Sequence, residues 1–159
     1  MPKKPQPILL VEDDPTDVLA FRHVLNNAQL ANEVVSVASG VAAVETLTGE
    51  RKYAAVFTDL MLREMDGFEV ISWVRDKYPD LLIVAVSWRA EVETIAKAFE
   101  AGAHFYILKP VREVDLLNVA KGRLKPRALD AETGGTQFFF KGSTTSFLSG
   151  IAKDQPSTR

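Results

Sequence analysis

The sequence predicts an α/β protein with a doubly wound, five-stranded parallel sheet and helices on both of its faces. Five short apolar runs alternate with five segments of helical spacing, as in parallel sheets with crossover helices. The first and fourth runs are apolar almost throughout, as expected of strands buried on both sides. The runs predicted as strands are residues 7–11, 33–37, 54–59, 81–87 and 105–109. The segments predicted as helices are residues 14–28, 39–49, 67–79, 90–102 and 112–124.

The helix boundaries carry their own sequence signals. Asp14 is a favourable N-cap, and Pro15 follows it at the first helical position, where no backbone N–H is needed. Gly49, Pro79 and Gly102 are expected to end the second, third and fourth helices. The apolar residues with one-face spacing are Val92, Ile95, Ala96 and Phe99 in the fourth helix, and Val114, Leu117 and Leu124 in the fifth.

The composition changes near residue 125, which predicts a folded domain at 1–125 and a C-terminal tail at 126–159. The tail is rich in Gly, Ser and Thr. Two β-prone runs around a glycine-containing turn favour a hairpin there. An isolated hairpin is marginal in water, so a mostly disordered tail is the alternative. The phenylalanines of the tail are Phe138, Phe139, Phe140 and Phe147.

Composition and charge narrow the classes of function. A formal net charge of -2 gives no electrostatic footprint for direct nucleic-acid binding. With no cysteine, the sequence excludes disulfides, a catalytic thiol and cysteine-ligated zinc. The apolar run at 8–11 is too short for a signal-peptide core or a membrane span. We therefore expect a cytoplasmic protein without membrane insertion.

Polar side chains stand at the ends of four predicted strands. In an open parallel α/β sheet, ligands bind beyond the carboxyl ends of the strands, so the fold would gather these side chains in one pocket. The residues in question are Glu12 and Asp13, Asp59, Ser87 and Lys109.

The residue types in this set indicate phosphate chemistry. Converging carboxylates repel one another unless a cation joins them, and an all-oxygen site without His or Cys suits Mg²⁺. A lysine and a hydroxyl would complete a cradle for a phosphoryl group. Asp59, at the centre of the sheet, is the acid best placed to attack phosphorus and form an acyl phosphate. Alone, Asp59 has the simpler explanation of a turn cap, but the joint occurrence of these residues at strand ends favours the phosphate site.

These motifs resemble the receiver domain of two-component response regulators, in particular the single-domain, chemotaxis-regulator-like type. The resemblance covers about residues 6–125 and implies the flavodoxin-like strand order 2-1-3-4-5. It also implies a phosphoacceptor signalling domain, charged by a sensor histidine kinase or a phosphotransfer protein. Such a domain is not an enzyme beyond self-catalysed phosphorylation and dephosphorylation. The matching segments are ILLVEDDP (8–15), FTDLMLREMDGFEV (57–70), VAVS (84–87) and EAGAHFYILKP (100–110).

The resemblance implies a metal site and a phosphoacceptor. Asp59 would accept the phosphoryl group. Asp13 would bind Mg²⁺ directly, Glu12 would act mostly through water, and the backbone carbonyl of Met61 would complete the protein ligands.

The remaining implied roles concern the phosphoryl oxygens and a switch. Ser87 and Lys109 would bind the phosphoryl oxygens, and the bond from Lys109 to Pro110 would be cis, a conformation nearly restricted to proline. At the switch, the Ser87 hydroxyl moves toward the phosphoryl group and the Tyr106 ring turns inward. The output surface would be formed by helix 4, strand 5 and helix 5.

The sequence departs from the family pattern at two positions. Arg63 stands where proline is usual, and it is expected to be a solvated side chain. Trp88 stands where a small residue is usual, and it is expected to screen the site from small phosphodonors.

Three alternatives compete with a phosphorylated switch. A pseudo-receiver scaffold or dimerisation module would typically lack the acid, the hydroxyl or the lysine, all of which are present. An FMN protein needs a Ser/Thr/Gly-rich loop after strand 1, whereas this loop reads EDDP. An aspartate-nucleophile phosphatase typically has a second acid where Met61 stands. Independently, the tail phenylalanines predict a homodimer through the helix-5 side.

Overall fold

The computed structural model describes residues 3–121 and the backbone of residues 138–140. Strands and helices alternate along the first of these ranges, as predicted. The strands are β1 (Ile8–Val11), β2 (Val34–Val37), β3 (Ala55–Asp59), β4 (Leu82–Ser87), β5 (Phe105–Leu108) and β6 (Phe138–Phe140). The helices are α1 (Pro15–Asn27), α2 (Gly40–Leu47), α3 (Gly67–Lys77), α4 (Val92–Ala101) and α5 (Glu113–Ala120).

The first five strands form a parallel sheet in the order β2-β1-β3-β4-β5, which confirms the predicted fold class and strand order. The chain winds from β1 toward β2 on one side and toward β3 on the other. The winding direction therefore reverses between β1 and β3, which is where ligands bind in open α/β sheets.

A sixth strand extends this sheet beyond the predicted five. β6 pairs antiparallel with β5, so that Phe105 lies opposite Phe140 and Ile107 opposite Phe138. The sequence predicted a hairpin for this part of the tail, with residues 144–148 as the second strand. That second strand lies outside the described residues, so the hairpin stays a prediction, while the described part of the phenylalanine run pairs with β5.

Two apolar cores lie on the two sides of the sheet because successive strand residues face opposite sides. Leu9 and Val11 of β1 point to the core closed by α2, α3 and α4, whereas Ile8 and Leu10 point to the core closed by α1 and α5. Each large aliphatic side chain buried in this way stabilises the fold by about 1.5–3 kcal/mol. The helix residues buried in the second core are Phe21, Leu25, Leu116 and Val119.

The helix ends follow the predicted signals. The Asp14 side chain caps α1 by accepting the Thr16 N–H at 2.8 Å, and Pro15 is the first helical residue. α2 ends at Leu47 and α3 at Lys77, each two residues before the predicted breaker. α4 ends directly before Gly102, whose φ of 130° suits glycine. Leu124, predicted in the last helix, lies outside the described residues.

Within the described part of the chain, no helix has the length and apolar character needed to cross a bilayer.

Candidate functional site

The carboxyl ends of β1, β3 and β5 bring three of the predicted residues together. Glu12 directly follows β1, Asp59 is the last residue of β3, and Lys109 directly follows β5. Glu12 and Asp59 are both buried although their side chains are acids. The Lys109 ammonium donates to Glu12 Oε2 at 2.7 Å and to Asp59 Oδ2 at 2.9 Å. The structure thus builds the predicted pocket around a lysine.

A third carboxylate, which the sequence analysis missed, completes the environment of this lysine. Asp17, in the first turn of α1, accepts from Lys109 Nζ at 2.7 Å. An ammonium group has three N–H donors, so the three carboxylates satisfy Lys109 fully. Burial alone lowers the pKa of Lys109, but the hydrogen bonds to Asp17, Glu12 and Asp59 outweigh it and raise the pKa above its ordinary value. Lys109 is therefore charged throughout the physiological range.

The three carboxylates form a compact acidic group. One oxygen each from Glu12, Asp17 and Asp59 lies within 4.8 Å of the others. Burial raises the pKa of Glu12 to about 7, the hydrogen bonds from Lys109 and the Asp14 N–H oppose this, and the charge of Asp59 adds to it. Proton binding at Glu12 therefore partly relieves the crowding of negative charge.

Asp13, the predicted direct metal ligand, is half-buried and does not belong to this group of three carboxylates, the one such group within the described residues. Glu12 still hydrogen-bonds as a strand residue, since its N–H donates to the Val37 carbonyl at 2.9 Å. Asp13 follows at a bend, outside β1. The role of Asp13 as a metal ligand stays a prediction.

The loop after β3 holds the Asp59 carboxylate from its other side. The Met61 N–H donates to Asp59 Oδ1 at 3.0 Å, while the Met61 side chain is exposed. The loop then folds back tightly: the Gly67 N–H donates to the Leu60 carbonyl, and a Cβ on Gly67 would lie 2.1 Å from the Asp59 carbonyl oxygen. Asp59 is thus fixed by its side chain and by the backbone packed against it.

Ser87 and Tyr106 meet at the start of the loop that follows β4. Ser87 is fully buried, and its Oγ accepts the Arg89 N–H at 3.1 Å. The Tyr106 hydroxyl donates to the Arg89 carbonyl at 2.6 Å, and its ring is fully buried. Burial raises the pKa of Tyr106 to about 12, against a hydrogen bond with Ser87 that lowers it. Ser87 Oγ is thus held by the backbone of this loop.

The bond from Lys109 to Pro110 is cis, as the resemblance implied. Beside it lies a small cavity of about 60 Å³ between α1 and the ends of β1, β4 and β5. Trp88 contributes to its wall although 65% of this residue is exposed. Arg63 is exposed, as predicted. The cavity is lined by Leu10, Glu12, Asp17, Ala20, Phe21, Val86, Trp88, Lys109, Pro110 and Val111.

The chemistry of the donor set fits a hard divalent cation. All three converging side chains offer carboxylate oxygens, which Mg²⁺ prefers. A positive charge, the Lys109 ammonium, already lies among them at hydrogen-bond distance. The donor atoms and their charge therefore suit a cation.

Comparison with known proteins gives a family match over most of the chain. The profile described as the response regulator receiver domain matches residues 8–121. The alginate biosynthesis transcriptional regulatory protein AlgB of Pseudomonas aeruginosa is 32% identical over 124 residues, which are 78% of this chain and 27% of AlgB. The two-component response regulator ORR24 of Oryza sativa subsp. japonica is 28% identical over 129 residues, 80% of this chain and 20% of ORR24. The chain thus spans less than a third of the length of these relatives.

Solved structures with the same fold include a response regulator from Chloroflexus aurantiacus, with a TM-score of 0.68 at 29% identity. The match covers 75% of this chain and 97% of the Chloroflexus chain. The receiver domain of the sensor histidine kinase PA1611 from Pseudomonas aeruginosa has a TM-score of 0.65 at 26% identity, covering 74% and 96%. That domain was solved with a magnesium ion coordinated in its active-site cleft.

Proposed function

Because the chain belongs to the response regulator receiver family, a family of signalling domains of two-component systems, we propose that it accepts a phosphoryl group on Asp59 from a sensor histidine kinase or a phosphotransfer protein. The observation that carries this proposal is the contact between Asp59 Oδ2 and Lys109 Nζ at 2.9 Å, in a buried acidic pocket at the carboxyl ends of the strands. It places a nucleophilic carboxylate beside a charge that suits a phosphoryl oxygen.

In the proposed transfer, a carboxylate oxygen of Asp59 attacks the phosphorus of a phosphohistidine. A new P–O bond forms, the P–N bond to the imidazole breaks, and the imidazole retains that electron pair. Lys109 then donates to a phosphoryl oxygen in place of Asp59 Oδ2. The Met61 N–H holds Oδ1 and thereby orients the carboxylate during the attack. Charge stabilisation and alignment account for catalysis in transfers of this kind.

The residues proposed to hold Mg²⁺ are Glu12, Asp59, Asp13 and the Met61 carbonyl. The proposal for the first two is supported by the convergence of their oxygens, and for the other two by the family resemblance. When bound, the ion neutralises charge on the phosphoryl group.

The proposed response to phosphorylation is a switch at Ser87 and Tyr106. Ser87 Oγ would exchange its contact with the Arg89 N–H for one with the phosphoryl group. Since Tyr106 is bonded to the Arg89 carbonyl, the same loop carries the change to the face formed by α4, β5 and α5. A partner protein would read that face. The residues 1–125 are proposed as the receiver unit and 126–159 as its tail.

Intact-mass analysis after incubation with acetyl phosphate and Mg²⁺ tests the proposal. We expect the wild type to gain the mass of one phosphoryl group and Asp59→Asn to gain none. Asp76→Asn, the same substitution at an exposed residue of α3, should label like the wild type. A wild type that gains no adduct from acetyl phosphate or from phosphorylated kinases would favour the pseudo-receiver alternative.

A further inference from the structure

Asp17 lies in the first turn of α1, apart from the strand ends that supply the other site residues. Its Oδ2 lies 2.7 Å from Lys109 Nζ, the same distance as Glu12 Oε2 and slightly closer than Asp59 Oδ2. The Lys109 side chain is 6% exposed and that of Asp17 25%, so water screens this ion pair only partly. Asp17 thus neutralises Lys109 together with Glu12 and Asp59.

The three acceptors of Lys109 differ in what else the reaction requires of them. In the proposed function Asp59 would take the phosphoryl group and Glu12 would help to hold Mg²⁺, so both contacts to the ammonium would be lost or weakened. Asp17 is the acceptor with no other assigned task. Its carboxylate holds Lys109 from α1, whereas Glu12 and Asp59 hold it from the ends of β1 and β3.

We propose that Asp17 is a positioning residue, which retains the Lys109 ammonium in the site while Glu12 and Asp59 exchange that ammonium for Mg²⁺ and the phosphoryl group. The part of this inference that concerns the phosphoryl group rests on the proposed function. The part that concerns Mg²⁺ does not, because Lys109 and a metal compete for the same carboxylates without phosphate. Removing the charge of Asp17 leaves Lys109 bound more tightly to Glu12 and Asp59. The metal must then compete against a stronger internal cation in a less negative pocket.

Asp17→Asn tests this proposal because it keeps an oxygen acceptor of nearly the same shape and removes the charge. The probe is Mg²⁺ alone, followed through the fluorescence of Trp88, which lines the cavity beside Asp17 and Lys109. A Trp73→Phe background leaves Trp88 as the single tryptophan, since the chain has two. We expect Asp17→Asn to weaken Mg²⁺ binding about three- to tenfold. This is less than the full contribution of one hydrogen bond between charged groups, because Lys109 keeps its other two acceptors.

Two matched variants give the controls. Asp17→Glu restores the charge and should recover most of the affinity. Asp76→Asn makes the same chemical change on an exposed part of α3 and should leave the affinity for Mg²⁺ within a factor of two. At saturating Mg²⁺, Asp17→Asn should also slow acetyl phosphate labelling of Asp59 several-fold. With Glu12 and Asp59 occupied by the ion, Lys109 would then lack the charged partner that Asp17 provides.

Each outcome decides the proposal. If Asp17→Asn changes only the denaturation midpoint and leaves both Mg²⁺ affinity and labelling rate within a factor of two, Asp17 is structural and the proposal is overturned. If Asp17→Asn weakens Mg²⁺ binding and Asp17→Glu does not restore it, the proposal is overturned as well. If the wild type takes no label, the proposed function fails, yet the titration with Mg²⁺ still decides whether Asp17 positions Lys109.

Discussion

The hydroxyl of Tyr106 donates a 2.6 Å hydrogen bond to the backbone carbonyl of Arg89, and this contact joins the middle of β5 to the loop between β4 and α4. The ring that carries the hydroxyl is fully buried. The same loop residue donates its N–H to Ser87 Oγ, so Arg89 contacts both Ser87 and Tyr106. The two ends of the proposed switch therefore share one residue.

Removing this hydroxyl should cost stability and uncouple the loop. We expect Tyr106→Phe to lower the free energy of unfolding by about 1 kcal/mol, because the Arg89 carbonyl loses its partner. Tyr78→Phe is the matched control, since the Tyr78 hydroxyl donates to the Leu47 carbonyl at 2.7 Å, away from the site. Urea denaturation should show similar losses for both variants. Amide hydrogen exchange should increase at Arg89 in Tyr106→Phe alone, and unchanged exchange there would contradict the coupling.

The close packing of Gly67 under Asp59 predicts a low tolerance for any side chain at this position. A Cβ would lie 2.1 Å from the Asp59 carbonyl oxygen and 2.5 Å from the Leu60 Cα, which are backbone atoms that cannot turn away. Gly67→Ala should therefore destabilise the protein by about 2–3 kcal/mol and lower the yield of labelled Asp59. In Gly49→Ala the nearest atom is 3.3 Å away, so the change should stay within about 1 kcal/mol. Equal midpoints for the two variants in urea would refute this account of the loop.

Lys109→Met should leave three crowded carboxylates without a counterion. Breaking a buried ion pair from one side costs about 3–5 kcal/mol, and we expect a loss of this order in EDTA at pH 8. Added Mg²⁺ should restore part of the stability, because it supplies the missing positive charge. Lys97→Met is the control: this exposed lysine lies 4.3 Å from the Phe68 ring centroid, and its loss should cost no more than about 1 kcal/mol. Stability of Lys109→Met that does not respond to Mg²⁺ would count against a cation site.

The raised pKa of Glu12 predicts a pH dependence of stability with a definite sign. The folded protein holds this proton up to a pKa of about 7, whereas the ordinary value is 4.5. Between these values the unfolded chain binds fewer protons, so the contribution of Glu12 to stability is fully present below pH 4.5 and is lost as the pH rises to 7. The full difference is about 3–4 kcal/mol.

Glu12→Gln isolates this contribution, because glutamine has the shape of the protonated acid and does not titrate. Measured by urea denaturation in EDTA, the wild type should lose stability relative to Glu12→Gln as the pH rises from 4.5 to 7. If the difference in unfolding free energy between the two proteins is constant across this pH range, burial does not raise the pKa of Glu12.

Much of the site was predictable because apolar runs that end in a polar residue mark the strand ends. Glu12, Asp59 and Lys109 lie together for this reason. Asp17 escaped prediction because an acid in the first turn of a helix is expected from the helix dipole alone. The available signal was that side chains tilt toward the start of their helix, which directs an acid in the first turn of α1 back to the end of β1.

The sixth strand shows a different limit. The phenylalanine run predicted a strand, but β6 pairs with β5 across a separation of about 35 residues, as in the pair Phe105 and Phe140. A local pattern identifies a strand and does not name a distant partner. The local pattern therefore favoured a hairpin and gave no sign of the pairing with β5, the open edge of the five-stranded sheet.

The pairing of β6 along β5 also determines how other molecules can approach this side of the sheet. Unpaired strand edges recruit strands from neighbouring molecules, and natural proteins keep such edges short or covered. Here the outermost strand is a three-residue segment of the same chain, which uses the main-chain groups that β5 would otherwise present. Recognition at β5 then proceeds through side chains while β6 is paired there, and a chain shortened before residue 138 would expose the edge of β5 to strand addition.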